Sequence, residues 1–330
     1  MTQLLSFVIP CYHSDQTLSA VVDDVLATVE SDERYTCEVL LVNDNAPDAT
    51  WDVIQGLCEA HDQVSGLCMM HNFGQHAALM AGYRASSGNI VISLDDDGQT
   101  PPSEAFKLVE QIEQGADLVY CHYEGMGFSS GFRRFGSTVN DHMAHWLLDK
   151  PRGLYLSSYF AATRAVVEEV VRYQGPFPYV DGLFLRSAGR IRSVEVSHLE
   201  REQGASGYSL RKLLSLWLNG FTAFSVKPLR VATILGSVFA LVGFVFALVV
   251  LVRKIIFDSA IDAGWSSLMC VLLVVGGLIM VTLGLVGEYV GRIYISQNQS
   301  PQYVVRERCG GGARPSSTAK AASGKDDAAR

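Results

Sequence analysis

The sequence predicts an α/β fold, a doubly wound and mainly parallel sheet, followed by interfacial amphipathic helices and a two-helix transmembrane hairpin. Three observations carry this. Short apolar runs alternate with helical periodicity through residues 1–125, and two long stretches in the last third hold no charge. In addition, 48% of the 330 residues are hydrophobic against 18% charged, an imbalance that implies part of the chain avoids water.

Residues 6–12, 37–44, 66–71, 89–95 and 117–123 are apolar runs that read as strands. Between them, residues 18–29, Thr50–Ala60, Gln75–Ala85 and 104–113 carry apolar side chains at helical spacing. The order βαβαβαβαβ implies a mainly parallel sheet covered on both faces. Ligands of such sheets bind beyond the carboxyl ends of the strands. That rule selects residues 10–15, 43–48, 71–75 and 95–99, the segments with unusual polar chemistry.

Residues 131–149 join a basic start to an apolar stripe that includes Phe132, Phe135, Trp146 and Leu147, and read equally as interfacial or core-facing. Residues 209–226 are similar, with Arg211 and Lys212 beside Leu213, Leu214 and Trp217, and adjacency to a span makes them interfacial. Residues 231–252 and 263–287 run 22 and 25 residues without a charge. A helix needs about 20 apolar residues to cross a bilayer core, so both suffice. The short linker makes them a hairpin within 227–295, with both chain ends on one side. Arg211, Lys212, Lys227 and Arg230 precede the first span, and Arg292, Arg306 and Arg308 follow the second. That bias puts the domain of residues 1–208 and both termini in the cytoplasm of a multi-pass plasma-membrane protein. Residues 296–330 read as a tail, disordered from about 309, where apolar periodicity is lacking.

The net charge of −8 argues against a nucleic-acid partner, which needs a basic footprint. Seven cysteines without a CxxC pair read as reduced core residues, not as a disulfide framework or zinc site. The N-terminus looks like a first strand, so no cleaved signal peptide is expected.

The strongest local signal is Leu94-Asp95-Asp96-Asp97-Gly98-Gln99 at the end of an apolar run. Consecutive carboxylates repel one another unless a cation or solvent relieves them. Strand alternation puts Asp95 and Asp97 on one side with Asp96 turned away, and Gln99 in phase with the pair. Such oxygens suit a hard divalent ion, Mg²⁺ or Mn²⁺, shared with substrate phosphates. Asp44, just past a second strand, is placed for a nucleobase or ribose or for stabilising its turn, while Asp48 reads as a helix cap. His71 and His76 flank a turn at Gly74 and read, like His142 and His145, as ordinary polar residues. Arg201 to Ser209 combine a cation, a glycine-rich turn and hydroxyls suited to phosphate, with Arg133 and Arg134 as further contributors or as lipid-headgroup contacts.

Together these segments resemble family 2 glycosyltransferases of the GT-A fold. The likeness is to the polyprenyl-phosphate branch, that of dolichyl-phosphate mannose synthase, bactoprenol glucosyltransferases and undecaprenyl-phosphate aminoarabinose transferase. It rests on Val8-Ile9-Pro10-Cys11-Tyr12, residues 42–48, Asn72-Phe73-Gly74-Gln75-His76, residues 95–102 and 201–208, and Gly284-Leu285-Val286-Gly287-Glu288-Tyr289. The resemblance implies a nucleotide pocket lined by Pro10, Tyr12 and Asp44, with Asp95 and Asp96 on the donor side. It also implies a metal on Asp95, Asp97 and Gln99, with Arg201 and Ser206 on phosphate. Ser14 stands where the family usually has an acid, Asn43 where Asp is common, and Gly207 where Lys is frequent. No QxxRW motif occurs, which argues against a processive polysaccharide synthase.

The implied reaction is one inverting displacement from a nucleotide sugar, of the UDP class among bacterial relatives, to a polyprenyl phosphate such as undecaprenyl phosphate. It would serve cell-envelope glycan or lipopolysaccharide modification, in a family whose members often form homo-oligomers. Asp97 is read as catalytic through the metal it holds, and Asp181 as either substrate-positioning or part of a structural turn. Another lipid or glycan acceptor is an alternative. A nucleotidyltransferase would need a glycine-rich N-terminal loop that residues 10–15 lack, and a non-enzymatic scaffold would be expected to lose the acidic strand end.

Overall fold

The computed structural model describes residues 2–123, 154–197, 265–298 and 300–311, with six isolated helical positions between 234 and 245. The amphipathic segments 131–149 and 209–226, most of the first expected span, and residues beyond 311 lie outside the described residues. The chain divides into two units, Met1–Ser206 with Pro301–Arg330, and Gly207–Ser300.

The first unit is built on eight strands. They are β1 (Gln3–Cys11), β2 (Tyr35–Asn43), β3 (Val64–Met69), β4 (Ile90–Ser93), β5 (Leu118–Tyr123), β6 (Phe160–Thr163), β7 (Ile191–Val196) and β8 (Val305–Cys309). They lie in the order β7-β5-β6-β4-β1-β2-β3-β8. β1 pairs in parallel with β2 and β4, β2 with β3, and β5 with β7. β6 runs antiparallel between β4 and β5, and β8 antiparallel along β3, so the sheet is mixed at two places.

Burial on both faces explains why β1 and β2 read as continuous apolar runs. Leu5, Phe7, Ile9 and Cys11 of β1, with Val39 and Leu41 of β2, pack against α1 (Leu18–Glu30), α2 (Thr50–Ala60) and α4 (Ala105–Glu113). The alternate residues Val8, Leu40 and Val42 pack against α3 (Gln75–Ala85), α5 (Arg164–Val171) and α6 (Val180–Ser187). α3 approaches β1 closely because Gly82 carries no Cβ; one there would collide with Val8.

The four local βα units stand where periodicity puts them. Three differences are instructive. The strand expected over 89–95 stops at Ser93, so the acids lie in a turn and not on an extended segment. β6, β7, α5 and α6 come from a stretch whose pairing partners are distant in sequence. The tail contributes β8, whose antiparallel pairing with β3 covers what would otherwise be an open sheet edge.

In the second unit, α7 (Trp265–Gln297) runs 33 residues, about 50 Å of helix. Within it Val274–Ile295 has a mean hydropathy of 1.7 with none of that stretch buried. Among the described residues it is the one helix long and apolar enough to cross a membrane by length and composition. The expected span 263–287 ended at Glu288; the helix continues because Val290, Ile293 and Ile295 carry the apolar character past that charge.

Candidate active site

From β1 the chain winds toward β2 and β3 on one side, whereas β4 lies on the other. The crevice beyond the carboxyl ends of β1 and β4 is therefore the topological switch point, where open α/β sheets bind ligands. The loop after β1 and the acidic turn after β4 meet there.

Asp96 joins them. Its carboxylate accepts from the Tyr12 amide at 3.2 Å and from the Ser14 hydroxyl, and its carbonyl accepts from Thr17 Oγ1 at 2.6 Å. Burial pushes the Asp96 carboxyl up, and the Ser14 and Tyr12 donors pull it back. Asp96 is thus tied to the loop after β1, and the directions of the three acids follow from a turn and not from the strand alternation expected of Asp95 and Asp97. A hydroxyl at position 14, in place of the family's usual acid, donates where a second carboxylate would repel.

Asp97 accepts from the Gln99 amide at 3.1 Å, closing the turn in which Gly98 takes a φ of 68°. Asp95 points elsewhere: its oxygens accept from Gln75 Nε2 at 3.4 Å, on α3, and from the Ser158 hydroxyl. Among the described residues no three His, Cys, Asp or Glu side chains converge as a metal cage. The carboxylates of Asp95 and Asp97 and the side-chain carbonyl of Gln99 all come from residues 95–99, and their chemistry fits a different class of site, in which one or two carboxylates and substrate phosphates share a Mg²⁺-like ion.

On the β2 side, Asp44 is 4% exposed, and its two oxygens accept from the amides of Phe73 at 2.7 Å and Gly74 at 2.8 Å. Burial raises its carboxyl while these amides oppose the rise. Asp44 therefore anchors the turn into α3. Asp48 accepts from the amide of Thr50 at 3.3 Å and its hydroxyl at 2.7 Å, at the start of α2. Pro10 is buried in β1, whereas Tyr12 is half exposed at the rim.

A second polar group lies beside β5. Asp181, in the first turn of α6, accepts from the Tyr120 hydroxyl at 3.4 Å, and burial pushes its carboxyl up to about 6. His76 stands edge-on to Tyr179 at 5.3 Å, and burial lowers its imidazole to about 4, so it is neutral. The Asp95 and Asp181 charges both act on buried Tyr83, which bonds Ser93 at 3.1 Å. Arg133, Arg134, Arg201 and Ser206 lie outside the described residues.

Sequence reasoning missed Ser158 and Tyr120, which no local motif marks, and gave Gln75 a place in a motif but no role. Ser14 was visible as a departure from the family pattern, though its partner was not.

The comparisons with known proteins agree on one family. Residues 6–171 match Glycosyl transferase family 2, and residues 227–293 match the GtrB C-terminal hairpin. The undecaprenyl-phosphate 4-deoxy-4-formamido-L-arabinose transferase of Serratia proteamaculans is 33% identical over 93% of this chain and 94% of its own. Its namesake from Photorhabdus laumondii is 31% identical over the same shares. Among solved structures, glucosyl-3-phosphoglycerate synthase from Mycobacterium tuberculosis is 18% identical at a TM-score of 0.49, covering 67% of this chain and 78% of that one. That likeness is too distant to bear on the chemistry. On the family match and the near full-length relatives, this chain belongs to glycosyl transferase family 2.

Proposed function

We propose that the chain transfers a sugar from a nucleotide-sugar donor, of the UDP class, to a membrane polyprenyl phosphate such as undecaprenyl phosphate. The observation that carries this reading is an acidic turn lodged at the switch point, in a chain matched over 93% of its length by transferases named for undecaprenyl phosphate. The product would serve cell-envelope glycan or lipopolysaccharide modification.

In this reading Pro10, Tyr12 and the 43–48 loop receive the nucleotide, with Asp44 setting the loop against α3. Asp95 and Asp97, with Gln99, would hold Mg²⁺ or Mn²⁺, and Asp96 keeps that segment fixed to the loop after β1. A bound divalent ion supplies charge neutralisation on the leaving diphosphate. The acceptor phosphate oxygen bonds to the anomeric carbon as the bond to the diphosphate breaks, and the electron pair leaves with the diphosphate. A phosphate monoester has a second pKa near 6, so at neutral pH the acceptor is largely ionised without a strong base. Asp181 then serves to position substrate. Arg133, Arg134, Arg201 and Ser206 grip the acceptor phosphate. The hairpin of residues 227–295 anchors the chain in the plasma membrane, with the sheet domain and both termini in the cytoplasm; a homo-oligomer is consistent with the family.

The test is to incubate membranes carrying the chain with a panel of radiolabelled nucleotide sugars and extract the lipids. Label in a mild-acid-labile lipid from one donor is the expected result. Membranes that label no lipid from any donor would exclude the proposal.

A further inference from the structure

We propose that Arg306 of β8 is a positioning residue for the 43–48 loop, so that the strand returning after the apolar helix completes the donor-nucleotide site. The inference rests on the reading of that loop as part of the nucleotide pocket.

The pairing of β8 with β3 singles out this residue. Cys68 is opposite Glu307, but the next residue, Met69, is opposite Val305, so the register shifts at that step. Two positions of β8 are used for one of β3, which leaves Arg306 as the extra residue of a bulge. Bulges re-aim a side chain that a regular ladder would direct along the pleat. Here the Arg306 guanidinium bridges β3 and the loop after β2: Nη1 donates to Asn45 Oδ1 at 3.4 Å and Nη2 to Cys68 Sγ at 3.2 Å. Its Nε donates to Glu307 Oε1 at 3.1 Å.

The contacted loop is one whose shape needs support. Asn45 takes a φ of 52°, a left-handed conformation that is uncommon outside glycine. Asn43 Oδ1 accepts the Ala46 amide at 3.0 Å across it, and Asn43 Nδ2 reaches the same Cys68 sulfur at 3.5 Å. Glu307, the residue after Arg306, accepts from Trp51 Nε1 at 3.1 Å in the first turn of α2. Two consecutive residues of β8 therefore hold the loop and the helix that follows it. A planar guanidinium holds Asn45 and Cys68 from separate nitrogens in a fixed fork, whereas an ammonium would have to reach both from one atom.

The experiment uses the purified full chain in detergent, with donor and acceptor kinetics for wild type, Arg306→Gln, Arg306→Lys and Asn45→Gly. The glycine removes the loop's side of the contact while tolerating the positive φ. Arg306→Gln should raise the donor KM about 10-fold, the loss of one charge-assisted contact, with kcat and acceptor KM within about 2-fold. Lysine should fall between, and Asn45→Gly should match Arg306→Gln without adding to it in the double variant. An unchanged donor KM in Arg306→Gln, or additive effects in the double variant, overturns the proposal. If Arg306→Gln fails to fold, an unchanged donor KM in Asn45→Gly overturns it equally. Calorimetry with UDP and GDP in the presence of Mg²⁺ or Mn²⁺ separates the layers: wild type that binds neither nucleoside diphosphate removes the underlying reading. Wild type and Arg306→Gln binding that nucleotide equally removes this inference alone.

Discussion

The two sides of the sheet's carboxyl edge treat their buried acids differently. Around β1, β2 and β4, Asp44 and Asp96 sit against backbone amides and a serine hydroxyl, which favour the charged form. Beside β5, Asp181 meets a tyrosine hydroxyl at 3.4 Å among the aromatic rings of Tyr120, Tyr83 and Tyr179. Burial raises all three carboxyls, but Asp181 is the one carried up to about 6. At Asp44 and Asp96 two donors oppose burial, from the Phe73 and Gly74 amides and from Ser14 and Tyr12. At Asp181 the single Tyr120 hydroxyl at 3.4 Å opposes it, and burial carries the carboxyl further.

The largest effect expected on that contrast is at the turn itself. Asp97→Asn should lower transfer by roughly 100-fold or more while leaving the protein folded, as removal of electrostatic stabilisation does at other active sites. Turnover and a melting curve on the purified variant check both halves. Next, Asp44→Ala leaves the Phe73 and Gly74 amides without their acceptor, at a cost of about 2–3 kcal/mol in stability, read as a lower denaturation midpoint.

Asp181→Asn tests the other side through pH. The folded carboxyl lies above its unfolded value near 3.9, so its contribution to stability is complete below about pH 4 and is lost as pH rises through about 6. The asparagine variant should therefore gain on wild type by about 2 kcal/mol between pH 4 and pH 7. Parallel stability–pH curves for the two proteins would remove the distinction between the sides. The smallest effect is Ser14→Ala, which withdraws one donor from Asp96 and should cost about 1 kcal/mol, again by thermal midpoint.

The same contrast governs how much could be read from the sequence. The β1–β4 half is made of local βα units, so period-two and helical spacing predicted its elements to within a residue or two at most ends. The acids at their carboxyl ends followed from the same pattern. β6 was not legible because its partners, β4 and β5, are about 70 and 40 residues away, and four residues carry no period. β8 was hidden for a related reason. Val305–Cys309 puts three consecutive exposed charges between half-buried ends, so it shows no alternation, and it follows a long apolar helix and precedes a polar tail. At the site, the Asp95–Asp97 motif was visible, whereas the direction each acid takes depends on Ser14, Gln75 and Ser158, which converge only on folding.

The central claim is that the acidic turn at the switch point serves a donor diphosphate through a divalent ion. Calorimetric titration of UDP and GDP into the purified full chain, with and without Mg²⁺ or Mn²⁺, tests it most directly when repeated on Asp97→Asn. The account predicts that one nucleotide binds wild type only when the ion is present, and that the variant loses most of that affinity. Binding of equal strength without the ion, or in the variant, would contradict it.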